Sequence, residues 1–271
     1  ANFFKAHGIR KGDVVMLILK QRPEVWFSIV GLCKLGAICI PATYQLTPKD
    51  ISYRCNAANV KMIVSVSDAE IVGHIVKALP DCEKKPIIAT LGPNQYPDQA
   101  FLDYGKELYA QSTDWTRPTG ADAPQNDDCM LIYFSSGTTG FPKAILHNHE
   151  SLMHACKVEQ KHHGQTKEDV FLCIPPLYHT GAKMHWFGSL LSAGKAVLLK
   201  GVTPKTILET VSNEKCTIVW LLVPWAQDIL LALDSGKVKL EDYELDQWRL
   251  MHIGAQPVPQ SLIRRWKEYF P

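Results

Sequence analysis

The sequence predicts an α/β protein built on mostly parallel sheet, and three observations lead there. Short apolar runs at 14–19, 38–41, 61–66 and 217–223 alternate with helix-length segments, the rhythm of βαβ units. Helix starts are marked at fitting places: Thr47-Pro48-Lys49-Asp50 offers an N-cap, a proline at the first helical position and an acid at the third. The 271 residues are 46% hydrophobic and 21% charged, enough apolar material for a core and far from the composition of a disordered chain.

In order, 14–19 reads as a strand, 23–35 as a helix with Pro23 in its first turn, and 38–41 as a strand. A helix from the Thr47 cap to about Ala58, a strand at 61–66, a helix at 68–79 and a strand at 86–90 follow. Residues 91–128 carry Gly92, Pro93, Pro97, Pro118, Gly120 and Pro124 and read as a long surface connection with one short helix near 101–110. Then come a strong strand at 129–134, a Ser/Thr/Gly loop, a strand near 144–146 and a helix from about Glu150. A second series places strands at 170–174, 196–199, 217–223 and 250–253, with helices at 181–192, 203–213, 224–233 and 259–269. The hydrophilic run 161–169 is the expected seam, giving subdomains 1–165 and 166–271.

Composition narrows the function classes. Lys and Arg number 29 against 27 Asp and Glu, a net charge of +2, without the basic surplus of a nucleic-acid binder. Eight cysteines include no pair at Cys-x-x-Cys spacing, so neither a zinc site nor a redox dithiol is expected, and a reduced, cytoplasmic chain is. The longest apolar stretch, 25–40, is interrupted by Lys34 and Gly36 and is shorter than the ~20 residues that cross a bilayer. No signal peptide is visible, and a chain running from Ala1 to Pro271 is expected to be a piece of something longer.

The sharpest chemical feature is Tyr133-Phe134-Ser135-Ser136-Gly137-Thr138-Thr139-Gly140-Phe141-Pro142-Lys143. A buried strand runs into two glycines, which let backbone N–H groups approach an anion, and into four hydroxyl residues and a lysine suited to polyphosphate. It is not a Walker A loop, since Pro142 precedes Lys143 and no Ser or Thr follows. The bland alternative is a Gly/Ser turn between two strands. His147, His149 and His154 have no acidic or Cys partner at ligand spacing, so no metal site is assigned to them. His162-His163 reads as exposed and structural, Trp186 and Trp220 as core, and Arg264-Arg265 with Lys267 as a solvated helix face.

Residues 135–143 resemble the phosphate-loop signature of the adenylate-forming (AMP-binding) superfamily of acyl-CoA synthetases, luciferases and peptide-synthetase adenylation domains. The resemblance extends to Ala144-Ile145-Leu146-His147-Asn148-His149, to Pro175-Pro176-Leu177-Tyr178-His179, to Gly254-Ala255-Gln256-Pro257, and to the early segments around Gly12 and Gly36. It implies two similar layered α/β subdomains, incomplete at both ends, with nucleotide at the carboxyl ends of the strands. It implies that a carboxylic acid is activated with ATP and Mg2+ to an acyl-adenylate, with coenzyme A as acceptor. By resemblance, Ser135, Ser136, Gly137, Thr138, Thr139 and Gly140 would hold phosphate, Lys143 would neutralise departing pyrophosphate, and Gly254, Ala255 and Gln256 would face the adenine. His179 would shape the acyl pocket and act with Lys143 in catalysis, with Trp225 as a pocket wall or a core residue. The family's Tyr-Gly-x-Thr-Glu segment, which serves phosphate and magnesium, and its C-terminal domain with a catalytic lysine would follow Pro271, so the chain alone is expected to be inactive. An amino-acid activator would carry an acidic residue near Tyr178, and 175–185 has none, which favours a fatty or aromatic acid. A carrier-protein thiol as acceptor and a non-catalytic nucleotide-binding module are the alternatives.

Overall fold

Apolar runs that are buried on both faces build the first sheet. The computed structural model describes residues 1–135 and 142–270, and the chain divides into the units Ala1–Leu152 and Met153–Pro271. The first unit runs α1 (Asn2–Ala6), β1 (Val14–Ile18), α2 (Pro23–Leu35), β2 (Ile38–Pro41), α3 (Pro48–Ala58), β3 (Val60–Val66), α4 (Ala69–Ala78), β4 (Ile87–Leu91), β5 (Leu102–Asp103), α5 (Tyr104–Ala110), β6 (Cys129–Ser135) and β7 (Lys143–Asn148). Its seven strands stand in the order β5-β4-β3-β1-β2-β6-β7. Every pairing is parallel except that of β6 with β7. All five residues of β1 are buried, as in a sheet with crossover helices on both faces.

Local chemistry sets the helix ends. Thr47 Oγ1 accepts the Asp50 N–H at 3.3 Å while the Asp50 carboxylate accepts the Thr47 N–H at 3.1 Å, a reciprocal capping box that opens α3. Helix α2 stops at Gly36, whose φ of 69° suits a residue without Cβ. Helix α1, which the apolar rhythm did not mark, buries Phe3 and Phe4. Phe3 meets Tyr104 edge-on at 4.8 Å, and the Tyr104 hydroxyl lies 2.6 Å from Ser28 Oγ. The long connection at 91–128 is therefore tied to the core through the first residue of α5.

The division between the units falls within α6 (His149–His163). The second unit continues with β8 (Val170–Cys173), α7 (Thr180–Ser192), β9 (Lys195–Leu198), α8 (Pro204–Glu214), β10 (Ile218–Leu222), α9 (Val223–Asp234), β11 (Leu250–Gly254) and α10 (Gln260–Tyr269). Its four strands are parallel, in the order β11-β10-β8-β9. Leu172, Val219, Leu221, Ile229 and Trp248 belong to its core, closed by Trp266 and Phe270 stacked at 4.5 Å.

Asp169, only 4% exposed, organises the amino edge of this sheet. Oδ1 accepts from Thr217 Oγ1 at 2.7 Å and from Arg249 Nε at 2.8 Å; Oδ2 accepts from Arg249 Nη2 and the Thr166 N–H, each at 2.8 Å. Arg249 also donates to the carbonyls of His163 and Gly164. The polar run 161–169 thus contains buried His163, Gln165 and Asp169, which corrects the expectation that His163 is exposed. The histidine lies under the turn that Arg249 grips, and its ring packs against Phe171 at 5.7 Å.

Burial alone would raise the Asp169 pKa, but hydrogen bonds from Arg249, Thr217 and the Thr166 N–H outweigh it and hold the carboxyl well below its ordinary 3.8. A depressed native pKa stabilises the fold above the unfolded value, and the stabilisation is lost as pH falls below it. Asp169→Asn should lower unfolding stability at pH 7 by about 2 kcal/mol. In urea titrations at falling pH, the gap between wild type and variant should narrow below the ordinary value of 3.8. An unchanged gap down to strong acid contradicts this account of the carboxylate.

Candidate functional site

The antiparallel pair β6–β7 builds the stem of the Ser/Thr/Gly loop. Phe134 stands opposite Ala144, and Ser135 opposite Lys143, so the last residue before the loop faces the lysine that ends it. Ser136, Gly137, Thr138, Thr139 and Gly140 lie outside the described residues. Lys143 is exposed at the first position of β7. Helix α3 braces the stem from below. The Tyr53 hydroxyl donates to the Pro142 carbonyl at 2.9 Å, and the buried Arg54 guanidinium lies 5.0 Å from the centre of the Phe134 ring. Sequence reasoning missed both residues, since one tyrosine and one arginine in an amphipathic helix carry no signal of what they touch.

His149, in the first turn of α6, has a buried Nε2 without a hydrogen-bond partner. Burial lowers its pKa, against the opposing charge of Asp128. His147, on β7, packs edge-on to Tyr133 at 5.3 Å.

In the second unit, the remaining candidates gather at the carboxyl edge of the four-stranded sheet. The chain leaves β8 into Ile174–His179, β10 into the helix bearing Trp225, and β11 into Ala255 and Gln256. His179 is exposed and caps α7, and its own N–H is bonded to the Pro176 carbonyl at 2.8 Å. The turn is held from beneath by Lys183, 1% exposed, whose ammonium donates to the Leu177 carbonyl at 2.8 Å. A buried cation needs such partners, and Lys183 was not singled out from the sequence. Trp186 is core, as expected. Trp225 is half-buried against the core of this unit. Gly254, the last residue of β11, has Trp220 Nε1 and His252 Nε2 3.4 and 3.2 Å from where a Cβ would stand. Ala255 follows with φ 65°, a left-handed conformation that costs a residue with a Cβ roughly 1–3 kcal/mol. Strain of this kind on an exposed turn at a strand end suits a segment whose backbone is presented to a ligand.

Comparison with known proteins identifies the family of the chain. The sequence profile of the family described as "AMP-binding enzyme" matches residues 1–271. The chain is 28% identical to 4-coumarate–CoA ligase 1 of Arabidopsis thaliana, over 100% of this chain and 48% of that protein. A solved anthranilate–CoA ligase in complex with anthranoyl-AMP superposes with a TM-score of 0.84 at 22% identity, over 98% of this chain and 49% of its own. A long-chain-fatty-acid–CoA ligase of Archaeoglobus fulgidus gives 0.82 at 17% identity, over 98% and 50%. The chain spans about half the length of the curated relatives it matches.

Trp220 fills the space above Gly181 in α7, where a Cβ would lie 2.3 Å from Cζ3 and 2.7 Å from Cη2 of the indole. In an open helix Gly→Ala would stabilise; here the overpacking should reverse the sign. Gly181→Ala should destabilise the protein by about 1–3 kcal/mol. Gly181→Ala with Trp220→Leu should recover most of that loss in thermal unfolding. A stabilising single substitution rules out the contact.

Proposed function

We propose that this chain, which belongs to the AMP-binding enzyme family, is the ATP-handling part of an AMP-forming acid–thiol ligase. The observation that carries the reading is placement. Ser135 and Gly254 end strands that have parallel neighbours, and the His179 turn and Ala255–Gln256 follow such ends, where open α/β sheets bind ligands. Ser135 also stands opposite Lys143.

In the first half-reaction, a carboxylate oxygen of the acid attacks the α-phosphorus of MgATP. The bond to the bridging oxygen breaks, and pyrophosphate leaves with the electron pair. Charge gathers on phosphoryl oxygens, so catalysis rests on positioned donors and cations. Lys143, with Ser135, Ser136, Gly137, Thr138, Thr139 and Gly140, would serve the departing pyrophosphate. Gly254, Ala255 and Gln256 would present backbone to the adenine, and His179 and Trp225 would border the acyl group. In the second half-reaction, the thiol of coenzyme A displaces AMP from the acyl carbon and gives a thioester.

The acid is read as fatty or aromatic: no acidic side chain occurs at 175–185 to pair an ammonium group. Catalysis would need a C-terminal domain of the same native chain, so the 271 residues alone would be inactive. The cytoplasm is the fitting compartment. All eight cysteines are free, as in reducing surroundings, and among the described residues no helix is long and apolar enough to cross a membrane.

The test is carboxylate-dependent ATP–pyrophosphate exchange by the native full-length protein and by this chain, over a panel of short, medium, aromatic and amino acids. Exchange by the full-length protein alone is expected. Exchange by neither, with nucleotide still bound, would leave a binding module. Lys143→Ala in the full-length protein should slow adenylate formation about a hundredfold or more while changing acid affinity little. An unchanged rate would remove Lys143 from the reaction.

A further inference from the structure

The end of α6 and the middle of β11 bring together side chains that adenylation leaves without a task. Glu159 and His163 stand four apart on α6 and share a face. His252, paired in register with Trp220, meets them from the sheet. His163 Nε2 lies 3.0 Å from His252 Nδ1. A carboxylate oxygen of Glu159 and one nitrogen of each histidine all fall within 4.8 Å of one another. The group is largely withdrawn from solvent: His163 is 8% exposed and the Glu159 side chain 15%. Glu159 Oε1 is approached at 2.8 Å by Nδ1 of buried His185, whereas Oε2 is buried without a hydrogen-bond partner.

A carboxylate largely withdrawn from water favours a counter-charge, and its immediate neighbours here are imidazoles. Burial pushes His163 down to about 4 and lowers His252 as well, against the opposing charge of Glu159. Two imidazole nitrogens with one carboxylate oxygen form a zinc-type donor set, unlike the all-oxygen sets of magnesium and calcium. Metal–ligand distances of about 2.0–2.2 Å need only that the two rings part slightly and the carboxylate closes in. A groove of about 710 Å3, lined in part by His163, Arg249 and His252, provides access and room for a fourth ligand.

We propose that Glu159, His163 and His252 bind a divalent first-row transition-metal ion of the zinc class. The ion clips the end of α6 to β11, two residues before the Gly254 turn. The site is distinct from His147, His149 and His154, where no metal was assigned. It stands or falls independently of the adenylating reading.

The native full-length protein, without an affinity tag and stripped by a chelator, is titrated with Co2+ alone. One equivalent should bind with the visible absorption of four-coordinate cobalt, and Zn2+ should bleach it. Glu159→Gln and His252→Ala should each weaken binding at least tenfold, with circular dichroism confirming the fold. His154→Ala, an exposed histidine on the same helix, should change nothing. If either ligand variant folds poorly, diethyl pyrocarbonate labelling of the unsubstituted protein decides: Zn2+ should protect His163 and His252. No cobalt band, equal affinity in the folded ligand variants, or labelling indifferent to Zn2+ overturns the site.

Discussion

Asp169 holds the second unit in register. Its two oxygens take bonds from Thr217 just before β10, from Arg249 just before β11 and from the Thr166 N–H just ahead of β8. With the starts of three parallel strands pinned by one carboxylate, their ends emerge side by side. Those ends lead into the His179 turn, the Trp225 helix and Gly254–Gln256. Arg249 extends the same clamp to the carbonyls of His163 and Gly164, which sets the last turn of α6 against β11 and places His163 beside His252. The placement of the turns at one edge of this sheet thus depends on a charge buried at the other.

The first unit solves a related problem with a reversal of direction. A parallel sheet needs long crossovers, whereas an antiparallel pair brings the two ends of its connecting loop close together. The antiparallel partner β7, added at the edge of the sheet, brings Lys143 opposite Ser135. Helix α3 then fixes the stem through Tyr53 and Arg54.

Local signals made most of the fold legible. Pro23 and the Thr47 cap mark helix starts through single-residue chemistry, and the strands at 38–41 and 129–134 are apolar runs of a length that admits little else. Helix α1 was missed because five residues are too few to show a period; it forms because Phe3 and Phe4 bury against Tyr104. The phosphate loop was legible because its chemistry is contiguous. The bracing of Tyr53, the carbonyl-bound Lys183 and the cluster of Glu159, His163, His185 and His252 were not, because each joins residues far apart in the chain. Polarity misled at His163: a histidine in a hydrophilic run reads as surface until the turn that covers it is seen.

The central claim is that carboxylate oxygen attacks the α-phosphorus. The most direct measurement uses acid labelled with 18O in its carboxylate, given to the native full-length protein with MgATP and coenzyme A. The account predicts one labelled oxygen in AMP and none in pyrophosphate, because the bond formed in the adenylate is cleaved on the acyl side by the thiol. Label in inorganic phosphate, with ADP as the co-product, would mean attack at the γ-phosphorus and would contradict it.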